Sequence, residues 1–88
     1  MTAQQRLLDY QRQYEDQSAA LHRAHERLAN LESELKECQR RGEIPSESLM
    51  QDLRDAEAWV DWHEHECDEL KIQIEECEAY LAADELND

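Results

Sequence analysis

Residues 40–49, "RRGEIPSESL", hold the chain's single glycine and its single proline, and the sequence on both sides reads as helix. Gly42 suits the left-handed position after a helix end. Arg40 and Arg41 stand where the helix dipole is negative, and Pro45 suits the first turn of a new helix. A connection this short sends the chain back antiparallel to itself, so these ten residues predict a hairpin.

Working outward, Leu7, Tyr10, Tyr14, Gln17, Leu21, Ala24, Leu28, Leu31, Leu35 and Cys38 recur at alternating spacings of three and four. Beyond the turn the rhythm resumes as Leu49, Leu53, Ala56, Val60, His63, Cys67, Leu70, Ile74, Cys77 and Leu81. Two such seams predict two long helices, at about residues 3–41 and 47–84 around a turn at 42–46. Each is roughly 57 Å long at 1.5 Å per residue. Thr2 and Gln5 have capping-box spacing at the front. The expected fold is all-α: a single domain forming a long antiparallel two-helix hairpin (coiled coil), dimerising into a four-helix arrangement.

Folding the seam about the turn predicts facing layers of Leu7 with Leu81, Tyr14 with Ile74, Leu21 with Cys67, Leu28 with Val60 and Leu35 with Leu53. These alternate with Tyr10 and Cys77, Gln17 and Leu70, Ala24 and His63, Leu31 and Ala56, and Cys38 and Leu49. Each layer contains an apolar member.

The turn "GEIPSESL" resembles that of the small helical subunit of exonuclease VII. The similarity covers eight of 88 residues, and the first helix here is far longer, so membership of that family is not inferred.

Eighty-eight residues bury only a limited core, which favours an elongated or oligomeric form. Twenty-three acids against nine bases disfavour direct binding to nucleic acid or to an anionic membrane. The N-terminus lacks the basic and apolar blocks of a secretion signal, and Cys38, Cys67 and Cys77 form an odd set without CxxC spacing. A cytoplasmic protein with reduced thiols is expected.

The charge is distributed unevenly. Residues 1–41 hold seven bases and seven acids, whereas residues 42–88 hold sixteen acids against Arg54 and Lys71, which accounts for the whole net charge of −14. On the second helix Asp55, Asp61, Asp68, Glu69, Glu75 and Glu76 flank the seam on one side, and Glu57, Glu64 and Glu78 on the other. This crowding costs a few tenths of a kcal/mol per like-charge pair. It is either a solvated face or a surface that occupies a basic site on another protein, through Asp55, Asp61, Glu64, Asp68, Glu69, Glu75 and Glu76. Fourteen charges over roughly 57 Å is about one per 4 Å, against about 1.7 Å for duplex DNA, so mimicry of nucleic acid would need a dimer.

"AWVDWHEHEC", residues 58–67, concentrates both tryptophans in a chain without phenylalanine. Val60, His63 and Cys67 belong to the seam. Ala58, Trp62, His65, Ile72 and Ala79, with Trp59 and Tyr80 beside them, form a second stripe that a two-helix hairpin cannot cover. Exposed aromatic residues of this kind mark an interface, here for a homodimer, unless they simply shield the hairpin's own edge. The nearest approach to a metal set is His25, His63 and Cys67, with His22 further outward; no HExxH accompanies it, and no metal or cofactor is expected. His63 opposite Ala24 reads as a packed polar residue that specifies register. A thiol on a coiled-coil seam lacks a cleft and oxyanion donors, so no enzymatic activity is expected.

The expected function is that of a small acidic interaction module acting as a stoichiometric inhibitor, resembling in size and composition the acidic inhibitors of phages and mobile elements, including those directed against CRISPR effectors. The alternative is a structural or adaptor coiled coil that binds a regulatory protein through the tryptophan stripe.

Overall fold

The computed structural model describes residues 2–86. Helix α1 spans Ala3–Arg40 and helix α2 spans Glu47–Leu86. They pack side by side as an antiparallel hairpin with extents of 70 × 19 × 14 Å, and no strand occurs among the described residues. The heptad pattern explains the pairing: every seam position on both helices is buried or half-buried. The tightest packing lies in the half nearest the turn, where Leu31, Leu53 and Ala56 form a buried cluster flanked by Leu28, Leu35 and Leu49.

Side chains and backbone close both ends of α1 and the start of α2. Gln5 N donates to Thr2 Oγ1 at 3.2 Å while Thr2 N donates to Gln5 Oε1 at 3.0 Å, a complete capping box. At the other end of α1, Arg41 is the C-cap and Gly42 takes φ 72°. Gly42 N donates to Gln39 O and Glu43 N to Cys38 O, each at 3.0 Å, the paired bonds of a Schellman motif. The Cys38 thiol donates back to Glu43 O at 3.3 Å. Arg40 and Arg41 both pair with Glu37 in the last turn, and the Glu37 hydrogen bond raises the Arg40 guanidinium above its ordinary pKa.

Two boundary expectations need correction. Pro45 precedes the first helical turn: Ser46 caps α2, accepting from Leu49 N at 3.0 Å through its side chain and from Met50 N at 3.1 Å through its carbonyl. A serine hydroxyl satisfies an orphan amide at this position, and proline has no such group. Helix α2 also continues to Leu86, two residues beyond the expected end.

The register is offset by about half a heptad from the expected layers. His63 Nδ1–H donates to Gln17 Oε1 at 2.9 Å. In the expected pairing these residues lie seven positions, roughly 10 Å of rise, out of level, too far for a direct bond. His63 also lines a groove with Ala20 and Ala24, which places it level with Leu21. Tyr10 likewise lines a groove with Gln73 and Cys77, level with Ile74. In these layers a three-residue step up one helix meets a three-residue step down the other, so the chains stay level throughout. The expected layers matched threes with fours and would rock the two backbones against each other.

Candidate functional site

Helix α2 carries the features that could engage another molecule. Its seven candidate acids, Asp55, Asp61, Glu64, Asp68, Glu69, Glu75 and Glu76, are all exposed. Heptad spacing sorts them into strips along the helix. Asp55, Glu69 and Glu76 share a strip with Trp62. Asp61, Asp68 and Glu75 form a second strip about 100° round the helix, beyond His65 and Ile72, and Glu64 lies next to that second strip at the far edge of the seam. There His25 Nε2 stands 3.6 Å from Glu64 Oε1, linking the two helices. The flank expected as one row of acids is therefore two strips, one of them interrupted by a tryptophan.

The aromatic group has a defined geometry. Trp59 stacks on His63 with ring centroids 5.6 Å apart and an interplanar angle of 24°. Trp62 stands edge-on to both, at 5.0 Å from His63 and 5.9 Å from Trp59. The seam histidine thus joins its own helix's two tryptophans to Gln17 of α1. Trp59 remains 57% exposed and Trp62 48%, so the cluster shields part of the seam and still presents a large apolar surface to solvent.

The candidate interface stripe divides into two parts. Trp59 lines a groove with Ala20, Arg23, Ala24 and Arg27 of α1, and Tyr80 lines another with Ala3, Arg6 and Tyr10. Ala58 borders a recess with Asp55, Trp59 and Trp62. His65, Ile72 and Ala79 are exposed on the outer side of α2, with His65 4.0 Å from Glu69. The stripe is therefore oblique: Trp59 and Tyr80 lean towards α1, His65, Ile72 and Ala79 face away, and Trp62 lies between them.

The metal candidates are directed to different neighbours. His25 turns to Glu64 and His63 to Gln17, Cys67 is buried in the seam, and His22 pairs with Glu26 on its own helix at 2.9 Å. Among the described residues no group of three or more His, Cys, Asp or Glu side chains is placed to hold a metal ion. No described helix is long and apolar enough to cross a membrane.

Sequence reasoning passed over Arg23 and Arg27. Both are exposed, and neither forms an ion pair among the described residues, in a chain with 23 acids. Their signal was positional: they flank the seam on the side where Trp59 flanks it from α2.

Compared with protein-family models, curated proteins and solved structures, the chain matches none.

Proposed function

We propose that this chain is a stoichiometric interaction module whose acidic second helix occupies a basic groove on a partner protein, of the kind that otherwise holds nucleic acid. The observation that carries this reading is the segregation of charge. The first 41 residues are neutral, residues 42–88 hold the entire −14, and all seven candidate contact acids on α2 are exposed. Solubility needs no such bias. A rigid helix also presents its carboxylates at fixed spacing with little ordering cost, which favours fast, electrostatically steered association. Acting by occupancy, the module needs no cofactor; this reading includes a cytoplasmic setting and the phage-like inhibitor class.

The test is capture of partners on the immobilised chain from lysate of the source cell, with elution along a salt gradient. The expected result is a nucleic-acid-binding protein, released by salt and displaced by duplex DNA or RNA. Binding insensitive to both salt and polyanion would overturn the reading.

The exposed tryptophans favour one second reading, an adaptor that grips its partner through apolar contacts. Replacing Trp59 and Trp62 by alanine would then abolish binding, while reversing Glu64, Asp68 and Glu75 to lysine would leave it intact. The acidic-helix reading expects the opposite ranking.

A further inference from the structure

We propose that two copies of this chain associate side by side with their turns at the same end. Helix α1 of each then lies on α2 of the other, and the contact centres on Arg23 and Arg27 of one copy against Asp55, Trp59 and Trp62 of the second. This inference does not rest on the acidic-helix reading.

Four observations converge on it. Trp59 and Trp62 are 57% and 48% exposed and border a recess with Asp55, so an apolar surface and a carboxylate adjoin without an occupant. Arg23 and Arg27 are exposed cations with no ion pair among the described residues, and both line the groove on Trp59's side of the hairpin. The register sets the Arg23–Arg27 turn of α1 level with the Trp59–Trp62 turn of α2. Ala20 and Ala24 floor the groove beside the arginines, leaving room for a large ring from outside.

Symmetry turns these observations into one arrangement. A two-fold axis parallel to the helices keeps every residue at its own height while exchanging left and right. Arg23 and Arg27 of each copy then arrive opposite Trp59, Trp62 and Asp55 of the other, at the same level and twice over, as an isologous contact requires. Guanidinium groups over indole faces and beside a carboxylate satisfy both partners.

The competing two-fold, perpendicular to the helices, would lay α2 on α2. It would oppose two helices that each hold 14 acids against two bases, whereas the chosen one sets the nearly neutral α1 on the acidic α2. A face 70 Å long and 19 Å wide is larger than the roughly 800 Å² per partner of a standard specific interface.

The arrangement also divides α2. Asp55, Glu69 and Glu76 enter or border the contact, while Asp61, Glu64, Asp68 and Glu75 remain outward. The two acidic helices come to diagonal corners of a four-helix bundle, doubling the charge carried over one hairpin length.

Light scattering on the full chain across a concentration series, repeated with charge-swapped variants, tests the proposal. The expected mass is twice the 10.5 kDa of one chain. Arg27→Glu and Asp55→Arg are each expected to raise the concentration needed for dimerisation at least tenfold, and the double variant to restore it. Asp55→Arg is the decisive arm. It lowers the net negative charge, so relief of general repulsion would strengthen the dimer, whereas loss of its specific partner weakens it. Circular dichroism on the same samples confirms folding, since both positions are exposed. A wild-type chain monomeric throughout the series overturns the proposal. So does an Asp55→Arg variant that dimerises more tightly, which would indicate α2 against α2, or a double variant that does not recover.

Discussion

His63 and Gln17 are joined across the seam by a 2.9 Å hydrogen bond, with the imidazole stacked on Trp59. This pair fixes the level of one helix against the other, because it forms only where the two chains meet in one register. Removing the amide leaves a half-buried N–H without its partner, at a cost of about 1 kcal/mol. Gln17→Ala should therefore melt several degrees below the wild type. Gln17→Leu with His63→Leu should melt at or above it, as replacing both partners removes the need for the bond. Thermal melts followed by circular dichroism check both, and an unchanged melt for Gln17→Ala would show that the bond contributes nothing.

Leu53 is 6% exposed at the centre of the tightest cluster, whereas Leu8 is 65% exposed on the outer side of α1. Truncating a buried leucine costs about 2–5 kcal/mol through lost transfer energy and a residual cavity. In a two-helix molecule that is a large share of total stability. Leu53→Ala should be largely unfolded at room temperature by far-UV circular dichroism, while Leu8→Ala should stay within about 0.5 kcal/mol of the wild type in urea titration.

At the turn, Gly42→Ala tests backbone conformation alone. A methyl group there meets nothing within 4 Å, so any loss comes from holding φ at 72° rather than from a clash. The expected cost is about 1–2 kcal/mol. Ser46→Ala removes the hydroxyl that accepts from Leu49 N and should cost about 1 kcal/mol. The two changes should sum if the Schellman turn and the α2 cap act independently, which chemical denaturation of the double variant would measure.

Salt should act on folding and on partner binding with opposite signs. Screening relieves the repulsion among the exposed acids of α2, so the melting temperature of the chain alone should rise between low salt and about 0.5 M, where the Debye length has shrunk to about 4 Å. Binding to a basic groove should weaken over the same range. A melting temperature that falls with salt would mean that attraction between charges, not repulsion, dominates the folded hairpin.

The heptads were legible because seam residues recur at spacings of three and four from Leu7 to Cys38 and from Leu49 to Leu81, apolar at all but Gln17 and His63, and every one of those positions is buried or half-buried. Level was harder to read. Sliding the helices by half a heptad still places an apolar residue in each layer, so hydrophobic pattern does not distinguish the two registers. Backbone geometry and the reach of Gln17 to His63 do. The same ambiguity concealed Arg23 and Arg27. Their meaning depends on what stands beside them across the seam, and the observed register brings Trp59 level with the midpoint between them. The charge bias of α2 was visible from composition alone, because solvated carboxylates need no packing to be recognised.

Level layers make the hairpin a ruler with matched scales. Seven residues removed from one arm must be matched by seven removed from the other at the same height, and the shortened molecule then keeps its turn, its caps and its alternation of layers. A deletion confined to one arm leaves the far end of the other without a companion. Any natural change in the length of this protein is therefore expected in paired heptads, one on each side of Gly42.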